Sequence, residues 1–560
     1  MSSSGDTAAT FCATLVDEWE RQGVAHAVVA PGSRSTPLAV ALANSTAIQV
    51  HVFHDERSAS FAALGIGSAS GFPAVLLCTS GTAATHFHGA VVEAHQSDVP
   101  MIVCTADRPP ELRDVGAAQT IDQTQLFGSS VRWFHDPGVA SRDASNSWRS
   151  LAARSVQAAV GFRPGPVHLN LPFREPLLGA VVDRPEPRVG KWSDVSRLPS
   201  AETAVLDEVS KVLSGRRGVI VAGRGSGREV LTLADALGWP VFADALSGVR
   251  ENHPSVVIGF DSIVRAEKFT AEHVPEVVLR VGAPPASKVL SQWVSSTAAR
   301  VVQLRATEMM IDPDHAVELT VVGDISSSLR VLATSVKAVD RSWRESWALA
   351  ETTAQAAITH WTSQNFSEPA VARFVSSSMN VGDHLVVSSS MPIRDIEWYG
   401  TATPGVTVHS NRGTNGIDGV VSTAVGVALA TRAPVTLLIG DVACIHDSNG
   451  LWALNRRDID VTIVVTNNDG GSIFSFLPQA QLVTDSTFEL LYGTPHGVSF
   501  LHLAAAHGIA YESVTSGEAL RKSLEGRGTR LIEVPCDRGV NVALHEALQS
   551  AVIAAIETMA

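Results

Sequence analysis

An aspartate and an asparagine pair stand near the two ends of "GDVACIHDSNGLWALNRRDIDVTIVVTNNDGG", residues 440–471. Asp441 follows the strand-like "VTLLIG", and Asn468 follows the strand-like "VTIVVTN" 27 residues later. That separation suits a strand end, a helical crossover and a neighbouring parallel strand, so the two residues are expected side by side. The Asp441 carboxylate, the Asn468 amide oxygen and the Gly470 backbone carbonyl form a hard-oxygen set. Such a set suits Mg²⁺ (or Mn²⁺), an ion that keeps part of its shell for phosphate oxygens. Backbone N–H groups at the helix start after Gly440 would hold the same diphosphate. Taken singly, Gly-Asp and Asn-Asn-Asp-Gly-Gly are loop punctuation; their spacing gives them meaning.

Other charged residues also follow strand-like runs. Arg34 in "PGSRSTP", Arg108 in "TADRPPEL", Arg394 in "SSSMPIRD" and Arg412 in "HSNRGTNGIDG" each sit at or just beyond a strand end. One such arginine is ordinarily a surface ion pair. Four in a chain of net charge −14 suggest a binding site for several carboxylates, which arginine grips bidentately. Glu56 in "FHDERSAS" reads on its own as a carboxylate favoured by a helix N-terminus, or as part of a surface turn with Asp55 and Arg57.

The elements that would carry these residues are short apolar strands alternating with helical patterns, the mark of parallel α/β layers. Three blocks emerge: 1–185, 200–340 and 355–560, each read as a doubly wound parallel-sheet domain. The Pro- and charge-rich 183–200 reads as a linker, and 341–360 as a helical connection. In such sheets ligands gather beyond the carboxyl ends of the strands, where the residues above fall. The 560 residues are 45% hydrophobic and 18% charged, which permits large cores and argues against extensive disorder. The negative charge argues against nucleic acid as a partner. Five scattered cysteines without a C-x-x-C, no recognisable signal peptide and no long uncharged apolar run imply a cytoplasmic protein without membrane insertion.

The spacing of Gly440-Asp441 and Asn467-Asn468 resembles the thiamine-diphosphate (ThDP) fingerprint G-D-G…N-N, with Val442 at the third position. "FHDERSASFAALGIGSASGFPAVLLCTSGTAA" resembles the pyrimidine-binding domain of the same enzymes. Seven strings narrow the resemblance: "PGSRSTPLA", "DERSASFAALG", "TSGTA", "TADRPPEL", "GAAQTIDQTQLFG", "SNRGTNGIDG" and "NNDGGSIFSFLP". Together they resemble the 2-succinyl-5-enolpyruvyl-6-hydroxy-3-cyclohexene-1-carboxylate synthase family of menaquinone biosynthesis, over nearly the whole chain.

The resemblance implies decarboxylation of 2-oxoglutarate on ThDP and addition of the resulting carbanion equivalent to isochorismate. It also implies a homodimer or dimer of dimers, the first block of one chain facing the third block of another. By carry-over Glu56 activates the cofactor at the aminopyrimidine N1′. Thr82, Ile417, Gly440, Asp441, Val442, Ala443, Asn468 and Ile473 join it around the cofactor, Ile417 propping the two rings in a bent form. Asp441, Asn468 and Gly470 hold the metal. Ser390, Arg394 and Arg412 take the 2-oxoglutarate-derived group, with Ser390 and Gln119 among the catalytic residues. Ser33, Arg34, Arg108 and Gln119 face isochorismate. Ile473, Phe474 and Leu477 line the pocket, although core packing explains such residues equally well. Lys288 is followed by Val289 where the family can carry a Lys-Arg pair.

Two other classes fit less of the sequence. An acetolactate-synthase-like ThDP decarboxylase or ligase would not need four strand-end arginines. A non-catalytic anion-binding relative would not need Glu56, Asp441 and Asn468 together. "AGRGSGRE" (222–229) lacks the full dinucleotide pattern, and His86 and His88, two apart, do not share a helix face.

Overall fold

The computed structural model describes residues 3–190, 200–455 and 457–559; much of the expected linker, residues 191–199, lies outside them. Three parallel sheets of six strands account for the alternating pattern. The first holds β1 (His26–Val29), β2 (Gln49–Val52), β3 (Ala74–Cys78), β4 (Met101–Asp107), β5 (Trp133–His135) and β6 (Pro166–Pro172), in the order β2-β1-β3-β4-β6-β5. The second holds β7 (Gly218–Ala222), β8 (Val241–Ala243), β9 (Val256–Val257), β10 (Val277–Val281), β11 (Arg300–Arg305) and β12 (Val317–Val322), in the order β12-β11-β10-β7-β8-β9. The third holds β13 (His384–Val387), β14 (Thr407–His409), β15 (Val435–Gly440), β16 (Val461–Asn467), β17 (Ala510–Ser513) and β18 (Arg530–Pro535), in the order β14-β13-β15-β16-β18-β17. The fold is α/β with three doubly wound sheets.

Strands β3, β4 and β6 are buried along their whole length, so they read as continuous apolar runs without alternation. The third sheet follows the same connectivity as the first. The register agrees as well: His26 pairs with Gln49 and Val28 with His51, while His384 pairs with Thr407 and Val386 with His409.

By packing, the chain divides into two units. One comprises Met1–Arg197, Asn411–Ala433 and Ile445–Val461, the other Leu198–Ser410, Pro434–Cys444 and Thr462–Ala560. Two segments of the third block therefore pack with the first. The cause is local. Helix Glu56–Ser70 lies against helix Val420–Thr431, and their glycines let the backbones meet. A Cβ on Gly65 would stand 2.2 Å from the Thr423 carbonyl oxygen, and one on Gly426 2.1 Å from that of Ala62.

In the second unit, Trp239, Trp343 and Trp347 sit in a core that continues into the C-terminal helix Arg538–Glu557 through Leu548, Val552 and Ile556. Among the described residues this helix alone is long and apolar enough to cross a membrane. Its buried residues, three and four positions apart, form one face that packs into this core.

Candidate active site

In the second unit, β15 and β16 are neighbours, and their ends bring Asp441 and Asn468 together. Asp441, at the start of the short helix Asp441–His446, is 2% exposed. Its Oδ2 accepts from the backbone N–H of Asn468 and of Gly470, both at 3.0 Å, and its Oδ1 from that of Val442 at 2.7 Å. His496 Nε2 lies 3.3 Å from the same Oδ2. Gly470 has φ +142°, and a Cβ there would stand 1.9 Å from the Gly493 carbonyl oxygen, so only glycine lets this turn close.

Asn468 is also buried, and its Nδ2 donates to Glu368 Oε1 at 2.8 Å. Its Oδ1 is buried without a partner. An orphaned amide oxygen beside a fixed carboxylate fits a hard cation. Among the described residues no cluster of three or more His, Cys, Asp or Glu side chains could hold a metal. A site here must draw on amide and backbone oxygens instead.

Behind Asn468 stands a buried polar network. Glu368, 3% exposed, opens helix Glu368–Ser377. Burial, reinforced by the Asp395 carboxylate, pushes its carboxyl well above the usual range. His545 Nε2 and Asp395 Oδ1 are 2.8 Å apart, and Asn541 Nδ2 donates to Ser472 Oγ at 2.8 Å. Burial opposes a charged His545, but Asp395 prevails and raises its pKa.

Ser390 and Arg394 share the segment after β13. Ser390 has φ +76° at the start of helix Met391–Tyr399, an unusual conformation for serine of the kind that gathers at functional sites. The Arg394 guanidinium donates to the Ser390 carbonyl oxygen. Ile473 and Phe474 are half-buried in the turn Ser472–Phe476, and Leu477 is 41% exposed, so none of the three belongs to the core. Gly440, Val442 and Ala443 flank Asp441, while Lys288 is an exposed residue opening helix Lys288–Ser296.

The first unit holds the other residues. Glu56 is the first residue of helix Glu56–Ser70 and half-buried; its carboxylate has no hydrogen bond or ion pair among the described residues. Its neighbours are all engaged. Asp55 caps the helix at Ser58 N (2.9 Å) and accepts from Asn449 Nδ2 at 2.7 Å. Arg57 donates to the His446 carbonyl oxygen at 2.6 Å, and Ser58 Oγ to Asp447 Oδ1 at 3.3 Å. Asp447 in turn accepts from Ser422 N at 2.7 Å and Ser422 Oγ at 3.1 Å, and burial raises its carboxyl to about 6. The helix start is thus clamped on both sides of a free Glu56. Glu56 stands in the first turn of the helix, where a carboxylate suits the dipole, and the N-cap itself is Asp55.

Gln119, exposed and at φ +56°, is tied to the loop after β3. Its Nε2 donates to the Ser80 carbonyl oxygen at 3.1 Å, and Ser80 Oγ donates back to the Gln119 carbonyl oxygen at 3.0 Å. Thr82 is exposed two residues further on. Ile417 and Arg412 are half-buried in the segment Asn411–Ala433, and Arg412 has no hydrogen bond or ion pair among the described residues. Arg108 Nη2 donates only to the Ala118 carbonyl oxygen, at 3.1 Å, and its Nε is buried and unpartnered.

Arg34 stands apart. Expected to face a substrate beside the exposed Ser33, it is 5% exposed and donates to the Phe173 carbonyl oxygen (3.0 Å) and Glu175 Oε1 (3.1 Å). A guanidinium buried this far requires such partners. Sequence reasoning passed over Glu368 and Asp447. "SEPAVAR" carries a helix-start signature, but nothing in the letters says that its glutamate is buried.

A metal-fitting strand-end pair, a free glutamate at a helix start and doubly wound sheets define a thiamine-diphosphate-dependent enzyme. Family models agree with that class. "Thiamine pyrophosphate enzyme, N-terminal TPP binding domain" matches residues 9–126, "Middle domain of thiamine pyrophosphate" 189–387, and "Thiamine pyrophosphate enzyme, C-terminal TPP binding domain" 398–534. Among solved structures, benzoylformate decarboxylase from Polynucleobacter necessarius superposes with a TM-score of 0.73, covering 94% of this chain and 98% of that one. At 17% identity it speaks for the fold alone.

Relatives named 2-succinyl-5-enolpyruvyl-6-hydroxy-3-cyclohexene-1-carboxylate synthase are much nearer in sequence. That of Thermobifida fusca is 42% identical, covering 97% of this chain and 98% of its own. That of Chloroflexus aurantiacus is 41% identical, covering 96% and 95%. The chain belongs to this synthase family of ThDP-dependent enzymes.

Proposed function

We propose that the protein decarboxylates 2-oxoglutarate and adds the resulting four-carbon unit to isochorismate. The products are CO₂ and 2-succinyl-5-enolpyruvyl-6-hydroxy-3-cyclohexene-1-carboxylate, a step of menaquinone biosynthesis. The observation that carries this reading is the free carboxylate of Glu56 between three engaged neighbours. A group that must exchange a proton with a ligand is left open to it.

When bound, ThDP supplies the nucleophilic carbon that makes decarboxylation of a 2-oxoacid possible. Glu56 holds the proton at the aminopyrimidine N1′, with Thr82 and Ile417 beside the cofactor. Asp441, Asn468 and the Gly470 carbonyl hold Mg²⁺ or Mn²⁺. Gly440, Val442, Ala443 and Ile473 surround the diphosphate end. Ser390, Arg394 and Arg412 grip the carboxylates of the 2-oxoglutarate-derived group. Ser33, Arg108 and Gln119 receive isochorismate, with Phe474 and Leu477 against its ring. Arg34, held by the Phe173 carbonyl oxygen and Glu175, stands with Ser33 on the isochorismate side. Lys288 serves without a paired arginine.

The domains on this reading are 1–185 for the pyrimidine, 200–340 as a middle layer and 355–560 for the diphosphate. The protein works in the cytoplasm as a homodimer or dimer of dimers, its sites built from two chains. Mass analysis of the product from 2-oxoglutarate plus isochorismate, with ThDP and Mg²⁺, tests the proposal. Turnover of pyruvate in preference to 2-oxoglutarate would favour an acetolactate-synthase-like activity instead.

A further inference from the structure

An asparagine serves a cation only when its oxygen, and not its nitrogen, faces the ion. The two ends of an amide are nearly alike in shape, so a neighbouring group must set the orientation. At Asn468 that group is Glu368. Glu368 Oε1 accepts whether the carboxyl is ionised or carries its proton on the other oxygen, so it draws Nδ2 toward itself at 2.8 Å. The atom left over is Oδ1, buried and unpartnered.

Glu368 has little freedom of its own. It is 3% exposed on the first turn of its helix, and Asn541 lends its carboxylate a further side-chain hydrogen bond. Asn541 is fixed by Ser472 Oγ at 2.8 Å, and its carbonyl oxygen lies 2.8 Å from His545 Nδ1. The helix Glu368–Ser377 and the C-terminal helix thus converge on one amide.

We infer that Glu368 is a positioning residue that sets the metal affinity of the cofactor site by holding Asn468 with its oxygen outward. The inference rests on the metal site proposed above. In Glu368→Gln the new amide brings a donor where two asparagine donors already point, so Asn468 loses its fixed orientation. Loss of an outer partner of a metal ligand typically weakens metal binding 10- to 100-fold. Removing a buried carboxylate beside Asp395 also relieves a like-charge contact, so the metal-free variant should melt no lower than the wild type.

The test is titration of metal-free protein with Mn²⁺ in the presence of ThDP, following free Mn²⁺ by electron paramagnetic resonance. Melting of the metal-free proteins is followed in parallel. The expected result is a 10- to 100-fold weaker Mn²⁺ affinity in E368Q at an unchanged or raised Tm. If Asn468→Ala weakens Mn²⁺ binding and E368Q does not, the positioning role is overturned while the metal site stands. If neither variant changes the affinity, the metal site itself has been misassigned. A lowered Tm with normal affinity reduces Glu368 to a structural part and overturns the inference. Should E368Q not fold, Glu368→Asp carries the same test, because it keeps the charge and withdraws the acceptor by one methylene.

Discussion

The first and third sheets share one strand order and one register, yet they treat their strand-end carboxylates in opposite ways. After β2, Glu56 is half-buried and without a partner among the described residues, while Asp55, Arg57 and Ser58 hold the surrounding chain. After β15, Asp441 is 2% exposed and accepts from three backbone N–H groups. A carboxylate that is to trade a proton is stabilised through its neighbours and kept free. One that is to be a fixed ligand is saturated by the backbone, and its neighbour Asn468 contributes the open oxygen. The same scaffold therefore holds one open and one saturated carboxylate, which suits the two roles proposed for them above.

The largest effect should come from the free carboxylate. Glu56→Gln is expected to lower kcat about 10²- to 10⁴-fold, the usual worth of a positioned proton-transfer group. ThDP affinity and Tm should stay close to wild type, since Glu56 holds nothing else in place. Steady-state rates at saturating ThDP, with cofactor binding read from fluorescence quenching, decide it. Near-normal turnover would remove Glu56 from the mechanism.

Asp441→Ala should behave in the opposite way. It deletes the acceptor of three backbone N–H groups, each costing about 1–3 kcal/mol if left buried and unsatisfied. Metal-dependent ThDP retention and Tm should fall together, and Asp441→Asn should recover part of the stability but little of the metal binding. If Asp441→Ala keeps its Tm, the contrast between a saturated and a free carboxylate is wrong. If it retains ThDP with Mg²⁺ as before, the metal reading fails.

The arginines sharpen the comparison by substrate. Arg394 follows β13 in the second unit, whereas Arg108 follows β4 in the first. Removing a charged donor from a carboxylate costs about 1.5–3 kcal/mol, or roughly 10- to 150-fold in kcat/KM. Arg394→Ala should slow CO₂ release from 2-oxoglutarate alone. Arg108→Ala should leave that release nearly intact and impair the use of isochorismate. Equal loss of CO₂ release in both variants would refute the division.

Much of this is legible in the sequence. Continuous apolar runs marked β3, β4 and β16, and the interval between Asp441 and Asn468 foretold that they would meet. Residues 441–452 were less legible. One helix-like stretch becomes two short helices, Asp441–His446 and Ser448–Trp452, because Asp447 between them turns its carboxylate onto Ser422. The grouping of Asn411–Ala433 with the first block could not be read either. Gly65 and Gly426 are far apart in sequence, and only their backbone contact shows what each is for. The three-residue β5 is too short to show a period. Nothing in the letters told Arg34 from its three companions, although its burial and its bonds to Phe173 and Glu175 do.

The shared register also makes the finest test available. His26 Nδ1 and His51 Nε2 are 3.1 Å apart in the first sheet, and His384 Nδ1 and His409 Nε2 are 3.0 Å apart in the third. Burial, with the partner histidine adding to it, lowers His51 and His409 to about 3. Their folded pKa values lie below the unfolded value, so the unfolded chain takes up protons first. The stability each neutral ring contributes is complete above pH 6.5 and is lost as the pH falls from there toward 3. One proton of difference amounts to about 1.4 kcal/mol per pH unit. His51→Gln and His409→Gln should each flatten the decline of unfolding free energy between roughly pH 6 and 4 by up to that slope. Urea titrations at several pH values measure it. Because the two sites match in register, contact distance and burial, the two variants should flatten the profile equally. A response confined to one of them would show that the two sheets, though alike in topology, do not share the acid sensitivity of their edges.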